Sequence, residues 1–172
     1  MAIIKKVRGY EPKFGKDCFL ADTAVVVGEV TMGDNCTVWF NAVVRGDVNS
    51  IDIGDNTNIQ DGAVIHGTYQ KAKTVIGSNV SIAHNAVVHG CTIEDNVLIG
   101  MGAIVMDDSV VGSHAVIAAG AVVLPGTKVP PNTVFAGVPA KKVKDTGAEM
   151  KAVILRTARN YPMYAAWFRE EN

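Results

Sequence analysis

The chain is 172 residues long, 48% apolar and 19% charged, which places it among globular proteins and excludes collagen-like, disordered and disulfide-miniprotein classes. Its 16 basic and 17 acidic residues leave a formal net charge of -1, so nothing electrostatic draws it to nucleic acid or to an anionic membrane. Aromatic residues are only 6%, a shortage that points to many small repeated core layers rather than one aromatic-rich core.

The N-terminus reads MAIIKKVRGYE, where Lys5, Lys6 and Arg8 interrupt any apolar run of the length a secretory signal needs. No export is expected. Cys18, Cys36 and Cys91 lack CxxC spacing, which argues against both a disulfide framework and a thiolate zinc ribbon and favours a reducing, cytoplasmic setting.

From Leu20 onward a branched apolar residue recurs at every sixth position. It runs through Val26, Met32, Val38 and Val44, restarts at Ile53, Ile59 and Ile65, restarts again at Ile76, Ile82 and Val88, and then continues unbroken from Ile93 to Phe135. Four places after most anchors the side chain is small, as at Ala24, Cys36, Ala42, Ala63, Ala86 and Ala103. No helical period fits. Six-residue units of this kind build a parallel β-helix, three units to a coil, so the repeats make about six coils of a triangular prism. Units such as IGDNTN, IGSNVS and VGSHAV resemble hexapeptide-repeat proteins, a resemblance that implies a left-handed coil. The repeat also accounts for the uncharged stretch from Ser109 to Thr127, whose Pro125 and glycines suit a membrane span poorly. Two slips in the register, between Val44 and Ile53 and between Ile65 and Ile76, place loops around Asn49 to Asp52 and Thr68 to Lys73. From Asp145 the pattern turns helical, with Pro162 expected to break or kink the helix. The expected fold class is therefore an all-β solenoid, a left-handed parallel β-helix over residues 1–144, with a C-terminal α-helical segment over 145–172 packed on the prism.

His66 and His89, 23 residues apart, become stacked once the loop between them is removed, each one place after its anchor in the third strand of its coil, with Arg45 in the same slot one coil earlier. Asp61 and His84 share the slot two after the anchor in the middle strand. Stacked imidazoles about 4.8 Å apart at the backbone can converge on one Zn²⁺. His84 belongs to another face, so a three-histidine site requires a neighbouring subunit, and a closed homotrimer supplies one at every interface. His114 has no ligand-type neighbour in its register and is expected to be structural, as is Cys91.

The segments VVRGDV at 43–48, NIQDGAVIHG at 58–67, IAHNAVVHGCT at 82–92 and NY at 160–161 together resemble the gamma-class carbonic anhydrases over nearly the whole chain. The resemblance implies a zinc enzyme for reversible hydration of CO₂ to bicarbonate, with His66, His84 and His89 as metal ligands and Gln60 against the metal-bound water. It also implies an interfacial charged network of Arg45, Asp47 and Asp61, and matches Tyr161 to the family's tyrosine near the substrate, with Tyr164 as the competitor. Imidazole ligands suit Fe²⁺ or Co²⁺ as well as Zn²⁺. Val48 departs from the family pattern, which carries a glutamate there associated with proton export, and the loop from Gly67 to Lys71 holds no carboxylate; slow turnover assisted by exogenous buffer is the expectation. Two other classes share the scaffold: an acyl-CoA transferase or thioesterase, whose mark is CoA-dependent turnover, and a non-catalytic metal-binding trimer, whose mark is an intact metal site without activity.

Overall fold

The structure is a computed structural model, and it describes residues 1–170; Glu171 and Asn172, the end of the expected helical segment, lie outside the described residues. The chain coils as a left-handed parallel β-helix whose short strands stack into three faces. One face, called the histidine face below, stacks Ile3–Lys5, the first half of Val25–Met32, the first half of Val43–Ile53, Val64–His66, Val87–His89, Ile104–Val105 and Val122–Val123. The helix face runs from Phe19–Leu20 to Thr133–Ala136. The remaining face runs from Lys13–Phe14 to Lys128–Val129.

These stacks amount to about seven coils, one more than the hexads predict. The additional coil is the first one. Its strands Ile3–Lys5 and Lys13–Phe14 are too lysine-rich and too widely spaced to continue the hexad register, yet they pair in parallel with Val25–Met32. Inward anchors such as Val26, Val44, Ile65, Val88, Val105 and Val123 are wholly buried, and the alanines between them fill the narrow prism. At this density each coil buries its apolar face only against the coils above and below, so stability is shared between nearest neighbours.

Each corner needs one residue in the left-handed backbone region, and the sequence supplies it. Asn35, Asn56, Asn79, Asn96, His114 and Asn132 occupy successive rungs of one corner, all with positive φ. Asn and His tolerate this region better than most residues. His114 is thus one more member of an asparagine column, which explains its structural role. Beside that column carboxylates tie coil to coil: Lys16 N donates to Asp34 Oδ1 at 2.7 Å, Asp34 N to Asp55 Oδ1 at 2.8 Å and Ser78 N to Asp95 Oδ1 at 2.7 Å.

The two insertions differ in kind. The strand Val43–Ile53 runs straight through the first, so no loop forms at Asn49 to Asp52; instead the pairing shifts between Gly28 and Val30, and the surplus residues follow Gly46. The backbones pass so closely there that a Cβ on Gly28 would collide with the Gly46 carbonyl, and a Cβ on Gly46 with that of Glu29. The second insertion is a loop, closed by the Thr68–Ala72 bridge with Thr68 N donating to Ala72 O at 2.9 Å.

After the last coil, Lys141–Asp145 returns antiparallel to Thr133–Ala136, and Ala148–Glu170 forms one helix. Pro162 lies inside that helix without ending it. An interior proline costs about 3 kcal/mol of helix propensity, but Ile154, Ala158 and Ala165 are buried on either side of it, and this packing holds both halves in place. Ile154 and Met150 join Val116, Val134 and Leu98 in a small second core on the helix face.

Candidate metal centre

Strand register pairs His66 with His89 across neighbouring coils. Their side chains leave the histidine face together, with His66 Nδ1 3.2 Å from His89 Nε2. Each outer nitrogen meets a carboxylate: His66 Nε2 lies 3.0 Å from Asp47 Oδ1, and His89 Nδ1 lies 2.5 Å from Asp107 Oδ1. The inner nitrogens therefore face one another, within hydrogen-bond distance. Two donors about 2.0–2.1 Å from one tetrahedral metal are about 3.3 Å apart, so this pair already has the separation of adjacent ligands. A carboxylate on the far nitrogen of a ligating imidazole fixes its tautomer and raises its basicity.

The surroundings of His66 favour its neutral imidazole. Burial lowers the His66 pKa, with Arg45 and His89 adding to it against the pull of Asp47. Burial alone would raise Asp47, but hydrogen bonds from Arg45 and His66 outweigh it and hold the carboxyl below its ordinary range. Asp107 behaves likewise, with Thr68 and His89 overcoming burial. The Thr68 hydroxyl donates to Asp107 Oδ2 at 2.5 Å, so the second insertion loop buttresses the carboxylate behind His89.

His84 stands apart from this pair. It sits in the turn between Ser81–Ile82 and Val87–His89, at the corner joining the helix face to the histidine face, rather than on a strand of a face. Asp61 occupies the equivalent turn one coil earlier and contacts His84 Nδ1 through Oδ2 at 2.9 Å, with the His84 side chain still 41% exposed. The charged group read from sequence as one network is thus divided within the chain into Arg45–Asp47–His66 and Asp61–His84. Among the described residues of a single chain, no three His, Cys, Asp or Glu side chains are grouped to hold a metal ion.

Gln60 is 4% exposed, and its Nε2 donates to Asn58 Oδ1 at 2.9 Å. Asn58 in turn donates to Ser81 Oγ at 2.8 Å, so a short polar chain runs under the corner that carries Asp61. Tyr161 projects from the helix against Trp39, ring centroids 5.4 Å apart. Burial and the nearby Asp61 charge push its phenol up to about 12. Tyr164 meets Tyr161 edge to face at 5.5 Å and accepts a hydrogen bond from Asn160 Nδ2 at 3.2 Å. Val48 borders an open cleft of about 190 Å³ with Arg8, Asn49, Tyr69 and Gln70. Asp107 is the residue that sequence reading misses: the register partner of His89 in the next coil is Met106, and Asp107 lies one place further on.

A prism of hexapeptide coils bearing stacked, carboxylate-backed imidazoles defines the class, and residues 90–125 match the hexapeptide family described as bacterial transferase hexapeptide (six repeats). The chain is 40% identical over 166 residues to gamma carbonic anhydrase 2, mitochondrial, of Arabidopsis thaliana, covering 94% of this chain and 60% of that protein, so it spans less than two thirds of that relative. It is 36% identical to a carbonic anhydrase of Geobacillus kaustophilus, covering 92% of this chain and 87% of that one. A crystal structure from Bacillus cereus described as an acetyltransferase superposes with a TM-score of 0.95 at 34% identity, over 99% of both chains. The chain belongs to the gamma carbonic anhydrase family.

Proposed function

We propose that the protein is a zinc-dependent carbonic anhydrase acting on CO₂ and bicarbonate at the interfaces of a homotrimer, with His66 and His89 from one subunit and His84 from the next. The observation that carries this reading is the 3.2 Å gap between two inner imidazole nitrogens whose outer nitrogens are held by Asp47 and Asp107. A second observation favours the trimer. The outward positions of the histidine face, in register, are Ile3, Val25, Val43, Val64, Val87, Ile104 and Val122, and Ile3, Val64 and Ile104 are each at least 36% exposed. A continuous ladder of branched side chains, exposed at these three and half-buried at Val25, Val43, Val87 and Val122, is the kind of surface that another protein surface covers. Seating the His84 corner of a neighbouring copy on this ladder would bring the third imidazole to the pair.

His66, His84 and His89 would hold the zinc as neutral imidazoles, and the metal would supply a water acidified to about pKa 7 as the nucleophile for CO₂. The chain's own residues do the rest. Asp47 and Asp107 orient the two imidazoles, Arg45 holds Asp47, and Asp61 orients His84. Gln60 and Tyr161 are assigned to substrate and water positioning, Tyr161 as a neutral hydrogen-bond donor. The acyl-transfer reading is favoured by the Bacillus cereus neighbour; CoA-dependent turnover separates it.

The test mixes inactive subunits. His66→Ala and His84→Ala proteins, each devoid of metal and of CO₂ hydration, should regain both when unfolded and refolded together, because one interface of a mixed trimer then combines intact halves. Zinc content and hydration rate are read together, with iron and cobalt assayed alongside. A monomer that binds one metal with full affinity, or a mixture that stays empty, overturns the shared site.

A further inference from the structure

We propose that Cys18 and Cys36 form a redox-active dithiol that closes to an intramolecular disulfide when a hydroperoxide oxidises it. Phe19 and Leu20 pair in parallel with Thr37 and Val38, so the residues one place earlier, Cys18 and Cys36, occupy adjacent rungs. Phe19 N donates to Cys36 O at 2.9 Å, locking that register. Adjacent rungs are about 4.8 Å apart, within the Cα separation of about 4.4–6.8 Å that a disulfide spans. Both side chains point the same way: Cys18 Sγ donates to Gly33 O at 3.1 Å, and Cys36 Sγ makes the equivalent contact one coil on, to Gly54 O at 3.0 Å. The corresponding position in the next coil is Thr57, so the paired thiols are confined to the first two rungs.

The two cysteines differ as the members of a working pair should. Cys18 is half-buried on the terminal rung of the helix face, where a small oxidant reaches it, while Cys36 is fully buried. The Cys36 thiol beside it brings Cys18 down to about 7 against the opposing effect of burial. Cys36 is raised by its contact with Cys18 and by burial. Cys18 thiolate therefore attacks the peroxide, breaking the O–O bond to give a sulfenic acid and water or an alcohol. That step removes the negative charge against which Cys36 holds its proton. The Cys36 sulfur then attacks the sulfenic sulfur, water leaves, and two thiols have given two electrons and two protons to the hydroperoxide. The carbonyls of Asp17 and Cys18 receive hydrogen bonds from Arg169 Nη2 at 2.9 and 3.2 Å, so the bond would form where the end of the C-terminal helix docks.

Cys91 is the internal control. It is buried in another column, and burial pushes it up to about 12. Full-length protein is titrated with hydrogen peroxide, denatured without reductant, alkylated and mapped by mass spectrometry. The expected product is a Cys18–Cys36 cross-linked peptide lighter by two hydrogens, with Cys91 alkylated and the link reversed by dithiothreitol. In Cys36→Ala, which places alanine where the same repeat position elsewhere holds Ala24 and Ala42, a dimedone probe should trap Cys18 sulfenic acid and no link should form. Oxidation should raise the midpoint of thermal unfolding in the parent protein and leave Cys36→Ala unmoved. The proposal is overturned by Cys18 passing to the sulfonic acid without a link, by Cys18 linking only between chains, or by both thiols staying alkylatable at peroxide levels that oxidise exposed methionines.

Discussion

A carboxylate behind an imidazole determines which nitrogen is left for a ligand, and Asp47 and Asp107 leave inner nitrogens that face one another. Asp107→Asn keeps the shape of this arrangement and removes its charge. Loss of such an outer partner typically weakens metal affinity about 10–100-fold, so the variant should yield zinc to a chelator at correspondingly lower concentration while its sedimentation stays that of the parent. Unchanged zinc retention would remove Asp107 from the site. The histidines are legible in sequence because each is tied to a hexad anchor. Asp107 is not, because it lies beyond the anchor of its own strand and reaches His89 across a coil. Tyr161 carries a second prediction. With its phenol pushed up to about 12, the folded state holds that proton more tightly than an unfolded tyrosine near 10. Its contribution is therefore intact below about pH 10 and is lost as pH rises from there toward 12. Tyr161→Phe should leave the pH profile of CO₂ hydration unchanged in shape below pH 10 while lowering its height; a displaced alkaline limb would mean that the phenolate takes part.

The corner is the element that makes a six-residue repeat possible, and it depends on one left-handed residue per turn. His114→Val puts a branched side chain in a column otherwise built of asparagine and Asp17, where the left-handed conformation costs about 1–2 kcal/mol. His114→Asn should be close to neutral. Urea unfolding of the two variants measures the difference, and equal midpoints would refute the backbone account of this position. The strands are readable from sequence because inward anchors keep a fixed period while corners take Asn, Asp or Gly. Two elements escape that logic for physical reasons. The strand Val43–Ile53 absorbs its surplus residues in a bulge made possible by two facing glycines, and nothing in a hexad count distinguishes this from a loop. The helix Ala148–Glu170 passes through Pro162 because tertiary packing on Ile154, Ala158 and Ala165 outweighs local propensity.

At the scale of the whole molecule, the apolar ladder on the histidine face is either a covered interface or an exposed liability. Val64→Lys places a charge in the middle of that ladder, one residue from a wholly buried anchor and two from His66. The side chain points outward, so the prism itself should remain folded by circular dichroism. Light scattering should report monomers instead of trimers, and bound metal should fall with them. A trimer that tolerates the lysine would place the interface on another face. The three faces were legible in the repeat. The outward ladder is visible only once the strands are in register, because its members are 17 to 23 residues apart in sequence and become neighbours only by stacking coil on coil. The far end of the prism carries a different consequence. Parallel coils leave unpaired backbone at the last rung, and a second molecule could continue the stack there as a fibre does. On the helix face the terminal rung is instead the antiparallel strand Lys141–Asp145, exposed throughout, bulged against its partner and carrying Lys141, Lys142 and Lys144. Reversed strand direction, an irregular register and three like charges each oppose the addition of another copy. That reversal closes the helix face of the prism to further stacking.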